Sequence, residues 1–210
     1  MAPGGTHFAD EQPVSKKGGI GRIVIIAVIV LLVLSAVGSC FGAGNRPNNN
    51  PVKLGEMAGL STDADISALA QRAVDSGIEI DGKVIKVTDA APIDSAIVSM
   101  NFSEDMTGKQ ITLNVRYKNP ANIPSQITFA ALFAQALAAL SADCDAVHAV
   151  YATANFADSN AYGIMLPTDC WNGWLYKIDY ILNQATRYTF KDWAWTLLGD
   201  NVAGLPQNKE

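Results

Sequence analysis

The stretch Ile123-Pro-Ser-Gln-Ile-Thr-Phe-Ala-Ala-Leu-Phe-Ala-Gln-Ala-Leu-Ala-Ala-Leu140 decides how the rest of this chain is read. It carries no charge and approaches the about 20 residues that a helix needs to cross a ~30 Å hydrocarbon layer. As a span it would split the chain and strand residues 141–210 on the far side. Its own composition argues otherwise. Ser125, Gln126, Thr128 and Gln135 interrupt the apolar surface, and much of the rest is alanine, which enters lipid weakly. Asn119-Pro120 and Ile123-Pro124 punctuate the chain just before it. The reading adopted is a helix over residues 125–142 at the centre of a domain, laid on a sheet and buried on most sides.

The flanks supply the sheet. Upstream, residues 61–77 place Ile66, Leu69, Ala70, Ala73 and Val74 on one helical face. Thr62 and Asp65 have capping-box spacing, and Gly77 fits the C-terminal end. Residues 78–87 alternate around Asp81-Gly82, as a tight hairpin does, although one strand with a glycine bulge fits too. Strands are expected at residues 96–102 and 111–117. Downstream come strands at 146–156 and 162–166, joined by a turn over 157–161. Trp171, Trp174, Leu175, Ile178, Ile181, Leu182 and Ala185 then fall at helical spacing. Thr189 with Asp192 suggests a cap for a second short helix ending at Gly199. The order predicts an α+β domain in two layers, an antiparallel sheet covered by helices.

A different kind of apolar run lies near the start. Residues 23–37 are apolar apart from Ser35, and no charge occurs between Arg22 and Arg46. Lys16, Lys17 and Arg22 precede this run, so the positive-inside rule puts the N-terminus in the cytoplasm and the bulk of the chain outside. The expected organisation is a cytoplasmic tail (1–18), a transmembrane signal-anchor helix (19–41), a linker rich in Gly, Asn and Pro (42–59), the extracytoplasmic α+β domain (60–204) and a polar tail (205–210). Two other fates of the segment stay open. A cleaved secretory signal has the same basic start. Val37-Gly38-Ser39-Cys40 resembles a bacterial lipobox, which implies lipidation at Cys40.

Twenty acidic against fifteen basic residues leave a net charge of −5, with no Lys/Arg cluster in the domain. Nucleic-acid binding, which needs basic surface to displace counterions, is not expected. Cys144 precedes one predicted strand of a hairpin and Cys170 follows the other, so their ends meet. In an oxidising compartment that predicts a disulfide. Two buried free thiols are the other reading.

Few residues suggest catalysis. His148 is the one histidine of the domain, and no Cys-x-x-Cys, nucleophile elbow or glycine-rich phosphate loop occurs. Asp143-Cys144-Asp145 lacks the further ligands of a calcium loop, and Glu104-Asp105 reads as a solvated turn. No cofactor or metal is predicted. Asn101-Phe-Ser103 matches a glycosylation sequon, which matters only in a eukaryotic secretory pathway. The aromatic residues are more telling. Tyr176, Tyr180 and Trp195 lie off the apolar stripes of their helices, where exposed rings anchor sugars or proteins. The reading is a membrane-anchored binding module of the cell envelope, bacterial in style, with an envelope protein or glycan as partner. An envelope hydrolase whose general base is His148 or a carboxylate is the alternative.

Overall fold

The fold is described from a computed structural model, for residues 49–103, 108–118, 123–156, 159–170 and 177–210. The expected anchor and Cys40 lie outside the described residues. Among the described residues no helix is long and apolar enough to cross a membrane.

The architecture is mixed α+β, with sheets flanked by helices. A small sheet comes first, made of β1 (Val52–Lys53), β2 (Ile78–Ile80) and β3 (Lys83–Ile85) in that order. Helix α1 (Asp63–Ser76) sits between β1 and β2, and its ends form as the caps predict. The Thr62 hydroxyl accepts from the Asp65 N–H at 3.2 Å and donates to the Asp65 carboxylate at 2.6 Å. Gly77 closes the helix at φ 93°. The β2–β3 hairpin turns on Asp81 (φ 50°) and Gly82 (φ 75°). Two positive φ values in succession match a type I′ turn. Residues of the expected linker (42–59) take part in this packing: Val52 pairs with Ile78, and Met57 is fully buried.

Among the described residues the main sheet has six strands in chain order: β4 (Ile93–Ser103), β5 (Gly108–Tyr117), β6 (Ala149–Phe156), β7 (Ser159–Pro167), β8 (Arg187–Phe190) and β9 (Asn208–Lys209). It is not wholly antiparallel as expected, because β5 and β6 run parallel. The physical reason is their connection. Helix α2 (Ile123–Leu140) carries the chain back along the sheet before β6 begins, and a crossover of that kind returns a strand in the same direction. Helices α3 (Ile178–Gln184) and α4 (Asp192–Leu198) flank β8 in sequence. Two strands of this sheet were not anticipated. Thr189 lies in β8 rather than at a helix cap, and the expected polar tail ends in β9, which pairs Tyr188 with Lys209.

Packing follows the alternation of the strands. β5 sends Ile111, Leu113, Val115 and Tyr117 inward, and β6 sends Val150, Ala152, Ala154 and Phe156 to the same side. Helix α2 lies on β6 and β7 and touches α3 and α4. Almost every residue from Ala130 to Leu140 is buried, six of them alanines. Ala152 and Ala154 are buried on β6, a strand this helix touches, so small side chains line both layers. Ser141 ends the helix, its hydroxyl donating to the Leu137 carbonyl at 2.8 Å.

Candidate functional site

The opposite face of the main sheet carries the other half of the alternation, and it is polar. β4 contributes Ser95, Ser99 and Asn101, β5 contributes Gln110, Thr112 and Asn114, and β6 contributes Tyr151, Thr153 and Asn155. Hydrogen bonds join these side chains across strands. Asn101 Nδ2 donates to Thr112 Oγ1 at 2.8 Å, and Thr153 Oγ1 donates to Asn114 Oδ1 at 2.6 Å.

A cavity of about 700 Å³ opens on this face toward β8, lined by Tyr151, Gly163, Met165, Thr186, Arg187, Thr189 and Glu210. Strand register builds it. Tyr151 pairs with Met165, which pairs with Arg187. In the neighbouring row Thr153 pairs with Gly163, which pairs with Thr189. Met165 is buried and forms floor, whereas Arg187 and Thr189 are exposed. The missing side chain at Gly163 makes room for the Tyr151 ring. A β-carbon at 163 would meet the Tyr151 hydroxyl at 2.5 Å and the ring carbons behind it at 3.2 and 3.3 Å. The ring therefore leans across the sheet instead of standing on it. The result is an aromatic plate beside a guanidinium, a carboxylate and two threonines, as in pockets that hold a ligand by one flat contact and a few convergent polar groups.

The residues singled out from sequence lie elsewhere. Trp195 is partly buried, stacked on Tyr188 at 6.5 Å and edge-on to Phe190 at 5.4 Å, so its ring packs against the core. Tyr180 is half-buried in the first turn of α3. Tyr176 lies outside the described residues, as do Glu104 and Asp105. His148 is exposed, with its ring packed on the backbone of Gly108, and it does not line the cavity. Among the described residues no group of three His, Cys, Asp or Glu is placed to hold a metal ion.

Cys144 and Cys170 are both buried, and both are free thiols in this structure. Cys144 Sγ donates to the Leu60 carbonyl at 3.4 Å, a partner distant in sequence that the hairpin argument did not foresee. Burial, with the Asp169 charge beside it, pushes the Cys170 thiol up to about 12.

Tyr151, Gly163 and Arg187 were missed in the sequence. One signal was present: a lone glycine inside a predicted strand marks a bulge or a close approach. No protein-family model, curated protein or solved structure matches this chain.

Proposed function

We propose that this chain is a membrane-anchored, extracytoplasmic binding module that holds a saccharide of the cell envelope in the cavity over β6, β7 and β8. Support for the anchor is the uncharged apolar run behind Lys16, Lys17 and Arg22. Support for the ligand is one observation above all: Tyr151 laid over Gly163, its ring beside Arg187 and Thr189. Sugar rings present one C–H-rich face that suits an aromatic plate, and a rim of hydroxyls that suits threonine, arginine and carboxylate. The Tyr151 site takes the place of the C-terminal aromatic surface, because Trp195 is already engaged with Tyr188 and Phe190.

The test is saturation-transfer NMR on the full chain in detergent micelles. The probes are a peptidoglycan disaccharide-peptide, chitin oligomers and glucose oligomers. One of the three is expected to receive transfer, and Tyr151→Ala is expected to weaken its binding at least tenfold with the far-ultraviolet spectrum unchanged. Equal binding by Tyr151→Ala, or no transfer to any probe, refutes the reading. Intact mass of the membrane form separates an uncleaved anchor from lipidation at Cys40.

A further inference from the structure

Strand β4 is the outermost strand of the main sheet, and its outward edge pairs with no described strand. Exposed edges of this length are hazardous, and proteins usually guard them with lysine, proline or a bulge. β4 is long, Ile93–Ser103, and from Ser95 to Ser103 it holds no charge and no proline. Its one register irregularity lies at the start, between Ile93 and Ser95. The one charged residue in the strand, Asp94, also sits there, 4.0 Å from Lys118.

Helix α1 touches β4, yet burial along the strand shows that this cover is incomplete. On the next strand Ile111, Leu113 and Val115 are 0 %, 1 % and 4 % exposed. Their partners on β4, namely Met100, Val98 and Ala96, pack against the same core yet stay half-exposed. Ile97, on the other face, is 60 % exposed.

We propose that β4 pairs antiparallel with β4 of a second copy of this chain, about a two-fold axis through Val98, to make one continuous twelve-stranded sheet. The strand is complementary to itself in that register. Val98 meets Val98, Ala96 meets Met100, and Ile97 meets Ser99, small against large on each face. An even register keeps core-facing residues beside core-facing residues and polar ones beside polar ones. No like charges meet, because the two Asp94 carboxylates fall at opposite ends of the pair. A strand from another protein would need the same neutral pattern by coincidence, whereas a second copy brings it automatically.

The experiment uses the full chain in detergent micelles with Cys40 changed to Ser, so that the remaining native thiols are the buried ones. Val98→Cys is expected to oxidise to a disulfide-linked dimer in high yield. Ser95→Cys, which faces residue 101 of the other copy in this register, is expected to stay monomeric on a denaturing gel. Ser95→Cys mixed with Asn101→Cys is expected to cross-link. In sedimentation, Ile97→Lys is expected to weaken dimerisation at least tenfold while leaving the circular dichroism spectrum unchanged. The proposal is overturned if Val98→Cys fails to cross-link, if Ser95→Cys alone links equally well, or if the parent chain sediments as a monomer. A dimer held only by the N-terminal segments would still sediment as a dimer but would fail the Val98→Cys cross-link.

Discussion

Tyr117 and Phe156 stack face to face, 4.9 Å between ring centres and 14° between planes, at the paired ends of the parallel strands β5 and β6. The stack closes one end of the core. Its ring contact uses the aromatic plane of Tyr117, while the hydroxyl is buried without a hydrogen-bond partner. Tyr117→Phe keeps the plane and deletes the orphaned group, so it is expected to raise stability by about 1 kcal/mol. Urea denaturation checks this, and a lower midpoint would show that the hydroxyl is bonded after all.

Stability is expected to fall as the solution turns alkaline. Burial raises the thiol of Cys170 to about 12 and also raises the phenols of Tyr117, Tyr162 and Tyr188. Each group holds its proton more tightly folded than unfolded. Their contribution is whole below the unfolded values, about 8.5 for a thiol and about 10 for a phenol, and drains away as pH rises toward the folded ones. Melting temperature should be flat from about pH 7 to 8 and should drop progressively from about pH 9 upward. Cys170→Ala should blunt the early part of the decline. A decline equally steep in that variant would remove the thiol from the explanation.

Gln135 sits in the middle of α2 at 0 % exposure, and neither atom of its amide has a partner. Replacing it with leucine, of similar volume, should stabilise the fold by about 1–3 kcal/mol. The denaturant midpoint reads this directly. Destabilisation would mean that the amide serves a bonded role.

Gly163→Ala should cost about 1–3 kcal/mol, because the new methyl collides with the Tyr151 hydroxyl. Removing that hydroxyl in the double variant Gly163→Ala/Tyr151→Phe should recover much of the loss, since the next contact is the ring carbon at 3.2 Å. A double-mutant cycle with no coupling would show that the two residues are independent.

Lys86, Lys177 and Lys191 are exposed on the described domain. An impermeant amine reagent should label them on intact cells and should reach Lys16 and Lys17 only after lysis. Protection of the domain lysines until lysis would reverse the proposed orientation.

Much of the fold was legible where a side-chain period ran long enough. Helix α1 showed its stripe and both ends, and Asp81-Gly82 announced its turn. The β4 to β7 strands run for eight residues or more, and β6 alternates along most of its length. β8 and β9 were hidden for a physical reason. Four and two residues are too short for a period, and β9 is held largely by its pairing with β8. The expected helix cap at Thr189 absorbed β8, and the expected polar tail absorbed β9. The parallel pairing of β5 and β6 is a property of connection, not of local pattern. The cavity was unreadable for a similar reason. Tyr151, Gly163 and Arg187 lie on three strands and become neighbours only through register.

The alanine-on-alanine seam between α2 and β6 acts as a size filter on the sequences this fold accepts. A library randomising Ala130, Ala134, Ala152 and Ala154 should return glycine, serine and alanine almost exclusively, because any longer group must prise the two layers apart. Divergence among copies of this gene would accordingly be sparse along that buried line and freer at Ser125 and Phe129, the exposed positions of the same helix.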